Sequence, residues 1–313
     1  MRLVVQNDKN RVRDGRSRSR GRGLALGCGA AVLASTALVT GCSDAGSHAP
    51  RPAAGQGGAA AHAPDARAAR AAEHARLVAA AKRWGLDEVP LTPPPPPAKK
   101  PRITARAGFE VDHQEDWGLP PVFTTVPTDN KVVFLTIDDG SEKDPRFLEM
   151  MRDLKVPYTA FLSDYLVKDD YGYFRKAQSY GNGVNNHTLH HPYLPGLSYD
   201  EQRHEICDMQ DIMRKQYGKR PTLFRPPYGN YNQDTLVAAK SCGIKYAPIW
   251  NEEVYVDHWE FREDDQQLRR GDIVLTHFRG RGDWDGTMVD DMRRFLNKVT
   301  REGYAVARLE DYL

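Results

Sequence analysis

Residues 104–313 predict an α/β fold built on a parallel sheet or barrel. Short apolar runs alternate with longer amphipathic stretches, and the unusual polar residues fall where the apolar runs end. The first run, 132–137, is six apolar or β-branched residues, the pattern of a strand buried on both faces. A helical stretch follows at 145–154, then a strand at 158–162. Further strands are expected at 183–186, 222–225, 245–249, 272–277 and 304–307, separated by helices near 199–217, 233–241 and 288–302. In a barrel of this kind the chemistry gathers at the C-terminal ends of the strands.

The rest of the chain has a different composition. Residues 1–42 carry 8 Lys/Arg against 2 Asp/Glu, and six arginines from Arg11 to Arg22 precede the apolar run 24–39. That order of basic and apolar regions reads as an export signal. The run ends in Leu38-Val39-Thr40-Gly41-Cys42, small residues before a cysteine. This resembles the lipobox of bacterial lipoproteins, which implies lipidation of Cys42 and an address on the outer face of the cell membrane. The alternative is an uncleaved membrane span, since the run is near the lower length limit for one. Residues 43–103 are rich in Ala, Gly and Pro, with five consecutive prolines from Pro93 to Pro97, and read as a stiff spacer. Within it, 66–84 is a candidate helix with Leu77, Ala80, Ala81 and Trp84 on one face. The folded domain is expected from residue 104.

Removing leader and spacer leaves 27 Lys/Arg against 35 Asp/Glu in 104–313, a balance that argues against nucleic-acid binding. Of four cysteines, Cys28 and Cys42 belong to the leader. Cys207 and Cys242 remain, and an extracellular address permits either a disulfide or two buried thiols.

Four segments carry candidate chemistry. Asp138 and Asp139 end a strand just before Gly140, so two neighbouring carboxylates need compensation from a metal or an arginine. Adjacent residues in extended chain point opposite ways, which gives the two Asp different partners. His187 and His191 are spaced i, i+4, the spacing that presents two imidazoles on one face of a helical turn. With one carboxylate they make a two-His, one-Asp set that leaves positions open for water and substrate. His190 lies between them. Arg225-Pro226-Pro227-Tyr228-Gly229 is a rigid turn after a strand, which holds Arg225 and the Tyr228 amide in set directions. His277 ends the apolar run 272–277. Each segment alone also fits an ordinary turn or a satisfied core residue.

Taken in order, Thr136-Ile137-Asp138-Asp139-Gly140, His187-Thr188-Leu189-His190-His191, Arg225-Pro226-Pro227-Tyr228 and Leu275-Thr276-His277 resemble the motifs of the polysaccharide deacetylases. This is the NodB homology domain, or carbohydrate esterase family 4, and the resemblance runs from about residue 131 to the C-terminus. It implies a distorted (β/α) barrel that removes acetyl groups from a polysaccharide such as peptidoglycan or another GlcNAc polymer. It implies Asp139, His187 and His191 as ligands of one divalent metal, usually zinc. Asp138 would be the general base with Arg225 as its partner, the Tyr228 amide would stabilise the oxyanion, and His277 would protonate the leaving nitrogen. The family's histidine-orienting segment, which ends in Asp-Trp, departs from pattern here: 250–259 reads Trp-Asn-Glu-Glu-Val-Tyr-Val-Asp-His-Trp. Asp257 is the candidate partner of His277, with Glu252 and Glu253 as alternatives. Trp259 takes the place of the family tryptophan and is a candidate substrate-stacking residue.

Overall fold

The computed structural model describes residues 63–103 and 118–313, with side chains from Ala66 onward. The leader, Cys42 and the first part of the spacer lie outside the described residues. Among those described, no helix is long and apolar enough to cross a membrane.

The architecture is an α/β barrel with irregular closure. Strand β1 is Val122–Phe123 and β2 is Val132–Asp139; α2 is Pro145–Leu154, β3 Thr159–Leu162, α3 Asp164–Val167, α4 Tyr171–Ser179 and β4 Gly183–Asn186. Then come α5 Tyr199–Tyr217, α6 Gln233–Ser241, β5 Ala247–Pro248, β6 Glu252–Val254, β7 Trp259–Phe261, β8 Ile273–His277, α7 Met288–Arg301 and β9 Ala305–Ala307. The main sheet has the order β4-β3-β2-β8-β6-β7, with β9 beside the first residues of β2. Every pairing in it is parallel except the β6–β7 hairpin. All eight residues of β2 are buried: the apolar or β-branched run 132–137 requires it, and the two aspartates that end the strand are buried with it.

On the other side the barrel closes through single contacts. Asn186 bridges Phe224, Leu223 bridges Tyr246, β5 pairs with β1, and Thr125 bridges Asp272. The strands expected at 222–225 and 245–249 are therefore reduced to bridges and a two-residue strand. Pro221, Pro226, Pro227 and Pro248 explain this, because each removes the N–H that a continuous ladder needs.

Capping fixes the helices around this sheet. Asp144 accepts from the Arg146 amide ahead of Pro145, Ser198 and Glu201 form a capping box on α5, and Thr287 and Asp290 form one on α7. A disulfide joins Cys207 on α5 to Cys242 at the end of α6, with Cα atoms 5.0 Å apart. Of the two states open from sequence, the thiols are paired.

The domain boundary at residue 104 needs correction. Helix α1 is Ala63–Trp84, and Ala66–Leu313 forms one compact unit. The apolar face read from sequence is real, but it does more than space. Ala80, Ala81 and Trp84 are buried in the main core, Trp84 at 3% exposure. The Trp84 indole donates to Asp153 on α2 at 3.2 Å, and Arg293 on α7 donates to the Trp84 carbonyl at 2.6 Å. Leu91 then bridges Ala305 of β9. The alanine-rich composition masked this docking, because Trp84 is the one large side chain among the three residues that the helix buries.

Trp84→Ala is expected to lower unfolding free energy by about 3–5 kcal/mol, the usual cost of emptying a buried Trp site. Denaturant titration of the variant measures it. A chain begun at residue 104 should show a comparable or larger loss, and an unchanged midpoint for both would return residues 66–103 to the role of spacer.

Candidate active site

Parallel register gathers the functional side chains at one edge of the barrel. Asp138 of β2 lies opposite His277 of β8 and Phe161 of β3, and Leu162 of β3 lies opposite Asn186, the residue before His187. The Arg225 amide donates to the Asn186 carbonyl at 3.0 Å, so the next segment continues the same edge. All four sequence motifs meet there.

Among the described residues Arg225 is the largest fully buried side chain, at 0% exposure. Its Nη1 donates to Asp138 Oδ1 at 2.8 Å and to Thr136 Oγ1 at 3.0 Å, and its Nε donates to the Pro248 carbonyl at 2.9 Å. The guanidinium also lies over the Phe161 ring, 4.4 Å from its centroid. Burial pushes the Asp138 carboxyl upward, against the pull of Arg225 and His277 and with a push from Asp139.

Asp138 Oδ2 lies 3.6 Å from His187 Nε2, so both carboxylates reach that imidazole, but Asp139, whose backbone turns into the left-handed region at φ 74°, meets a different arginine. Its Oδ1 lies 3.4 Å from His191 Nε2 and 3.7 Å from His187 Nε2, and its Oδ2 accepts from Arg279 Nη2 at 2.8 Å. Burial alone would raise this carboxyl, but His277, His191, His187 and Arg279 outweigh it and hold it down at about 2. Burial pushes both imidazoles down to about 4, so each is neutral at neutral pH. His187 Nδ1 contacts the Arg225 carbonyl at 2.7 Å; a carbonyl only accepts, so Nδ1 carries the proton and Nε2 offers its lone pair.

A helical turn does not bring the two imidazoles together. Residues 187–191 follow β4 as a loop, with Thr188 at φ 73° and His191 at φ 56°. The turn is built by side chains: Asn186 Oδ1 accepts from the Thr188 amide at 2.9 Å, and Thr188 Oγ1 accepts from the His191 amide at 3.0 Å. Glu205 of α5 accepts from the Leu189 and His190 amides at 3.0 and 2.9 Å and contacts His190 Nδ1 at 2.8 Å. His190 thus points away from the cluster, and the i, i+4 spacing works through backbone bends.

Asp139, His187 and His191 place their ligand atoms within 4.8 Å of one another. Asp139 Oδ1 is buried and has no hydrogen-bond partner. A buried, unpartnered carboxylate oxygen facing two neutral Nε2 atoms fits a divalent cation, and the N₂O donor set with room for further ligands suits catalytic zinc.

His277 Nδ1 is 3.3 Å from Glu253 Oε1, and burial pushes the Glu253 carboxyl up to about 8. Asp257 is not the partner. It sits in the turn between β6 and β7, 78% exposed at its side chain, with Oδ1 2.7 Å from His258 Nδ1. Strand alternation selects between the glutamates: Glu253 pairs in register with Leu275 and reaches His277, while Glu252 contacts Asn251. Trp259 is also displaced from its expected role. It stacks on Phe261 and on Phe295 of α7, with ring centroids 5.8 and 6.0 Å apart, and packs against the core. The tryptophan beside His277 is Trp284, 6.4 Å away edge-on and 5.6 Å from Tyr255. Tyr228 adopts φ 61°, and its partly exposed ring lies 4.5 Å from that of His191.

Sequence patterns did not single out Arg279, Trp284 or Glu205. Only Arg279 carried a signal, as a cation two residues beyond His277.

Residues 125–247 match the family model described as polysaccharide deacetylase. An uncharacterized protein of Streptomyces coelicolor is 37% identical over 232 residues, covering 72% of this chain and 91% of the relative. A peptidoglycan-N-acetylglucosamine deacetylase of Bacillus cereus is 26% identical over 197 residues, covering 60% and 91%. The crystal structure of a peptidoglycan N-acetylglucosamine deacetylase superposes with a TM-score of 0.56 at 21% identity, over 65% of this chain and 97% of that one, which shows a shared fold. The chain belongs to the polysaccharide deacetylase family, the NodB-type carbohydrate esterases of family 4, and is a hydrolase of that class.

Proposed function

We propose that this chain is a divalent-metal-dependent N-deacetylase of a GlcNAc-containing cell-surface polymer of the peptidoglycan class, with zinc as its metal. The observation that carries the reading is the division of labour between adjacent carboxylates. Asp138 Oδ1 is taken by Arg225, while Asp139 Oδ1 is unpartnered and faces two imidazole nitrogens. The named relatives support the substrate class. The leader and Cys42 suit a lipid-anchored enzyme held beside the cell wall, where such polymers lie.

Asp139 Oδ1, His187 Nε2 and His191 Nε2 would hold the cation. Bound there, it supplies Lewis-acid polarisation of the acetyl carbonyl and acidifies the attacking water. Asp138 accepts the water proton through Oδ2, the oxygen not bound to Arg225. Arg225 keeps that carboxylate fixed and favours its charged form. The Tyr228 amide donates to the oxygen that gains negative charge. His277, with Nδ1 turned to Glu253, presents Nε2 to the leaving nitrogen and gives it a proton as the C–N bond breaks. Acetate and a free amine result.

Asp138→Asn is expected to retain stoichiometric zinc while turnover falls by about 10²–10⁴-fold, the usual range for removing a general base. His277→Ala should keep the metal as well, and should lose more rate on N-acetyl than on O-acetyl substrates, because an alcohol leaves more easily than an amine. Mass spectrometry of a GlcNAc oligomer or peptidoglycan fragment, with an amine-reactive dye, reads the product. Acetate released only from O-acetyl esters, without new amine, would leave an O-acetyl esterase in place of the proposed enzyme.

The orienting role passes to Glu253. Glu253→Ala should lower turnover on N-acetyl substrates by about tenfold or more, whereas Asp257→Asn should leave it within about twofold. The reverse ranking in steady-state kinetics would restore Asp257 as the partner of His277.

A further inference from the structure

Each buried aspartate of the motif has its own arginine. The Asp138–Arg225 pair is accounted for by the family pattern; the Asp139–Arg279 pair is not. Arg279 Nη2 donates to Asp139 Oδ2 at 2.8 Å, and its Nη1 lies 3.7 Å from Oδ1 of the exposed Asp283. We propose that Arg279 is a positioning residue that claims one oxygen of Asp139, so that Oδ1 alone is presented, with His187 and His191, to a divalent cation. The inference rests on the metal reading above and adds a fourth residue to it.

Arg279 is delivered to this place by backbone. The Phe278 amide donates to the Asp138 carbonyl at 3.1 Å, and the Phe278 carbonyl accepts from the Glu142 amide at 2.9 Å and from Ser141 Oγ at 2.5 Å. Residue 278 is thus clamped from both sides to the segment that carries Asp139. The Phe278 ring is fully buried among Phe147, Tyr158 and Phe174. Just beyond, the Gly280 carbonyl accepts from the Asp283 and Trp284 amides at 3.0 and 2.8 Å, which closes a turn. Gly280 packs so closely on Glu142 that a Cβ would lie 2.2 Å from Oε2. Between clamp and turn, the guanidinium starts from a fixed Cα.

The charge count favours positioning over attraction. Arg279 is a cation near the place a cation would occupy, so by charge alone its removal would tighten metal binding. By geometry its removal frees Asp139 to rotate, and lost support of this kind usually costs about 10–100-fold in metal affinity. The two accounts predict opposite signs.

The experiment compares the full chain with its Arg279→Gln and Arg279→Lys variants, each stripped of metal by a chelator and retitrated with zinc against a competing indicator. Positioning predicts a zinc dissociation constant raised about 10–100-fold for the Gln variant, with partial recovery for the Lys variant, which keeps a charged donor. Thermal unfolding of the metal-free proteins checks that the fold survives. At saturating zinc, turnover of the Gln variant should return to within a few-fold of the parent. Binding that is unchanged or tighter overturns the proposal, and so does a turnover loss that persists at saturation, which would place Arg279 on the substrate. If the parent takes up no divalent ion, the metal reading fails and this inference falls with it; if the parent binds and the variant binds equally well, only this inference falls.

Discussion

The buried ion pair between Arg225 and Asp138 is the constraint on which the site depends. A guanidinium with no exposed surface is tolerated only if its charge and donors are satisfied, and here a carboxylate, a threonine hydroxyl, a backbone carbonyl and an aromatic face share that task. These partners come from β2, β3 and the chain ahead of β6. A single side chain therefore ties together the segments whose ends form the active edge. Loss of either charge would leave the other buried and unpaired, which is costlier than loss of a surface pair.

Around that pair the backbone is held in conformations that side chains seldom adopt. Of six non-glycine residues with positive φ among those described, four are Asp139, Thr188, His191 and Tyr228, all in the site. Such strain persists where the surroundings over-determine it. Glu205 holds the Leu189 and His190 amides, and Asn186 is held in turn by Gln210 and the Ile206 carbonyl. These supports come from α5, which the Cys207–Cys242 disulfide joins to the end of α6. The stability of that helical pair and the placement of the two imidazoles are therefore one problem. Two shells are visible: groups that would touch the metal or the reacting atoms, and groups that fix their direction.

The electrostatics follow a similar division. Two adjacent carboxylates are kept distinct because each meets a different arginine, one wholly buried and one near the surface. Burial lowers the imidazoles into their neutral, ligand-ready form and raises Glu253 beside His277.

By itself, the sequence determined the α/β class, most helices and the four ordered motifs, because these rest on local periodicity and on residue types adjacent along the chain. Residues 145–154, 199–217 and 233–241 are helical as their patterns require, and β4 spans the four residues expected. Other features depended on contacts between distant segments, which periodicity does not encode. Tertiary structure decided that Trp84 is core rather than spacer, because its partners Asp153 and Arg293 lie 69 and 209 residues away. It decided that Glu253 rather than Asp257 faces His277, because strand register, not spacing to a tryptophan, sets which side chain points inward. It brought His187 and His191 together through two left-handed residues instead of a helical turn, and it set Arg279 against Asp139 across a separation of 140 residues. Residue identities specify which chemistry is available; only the packed backbone fixes which group each side chain meets.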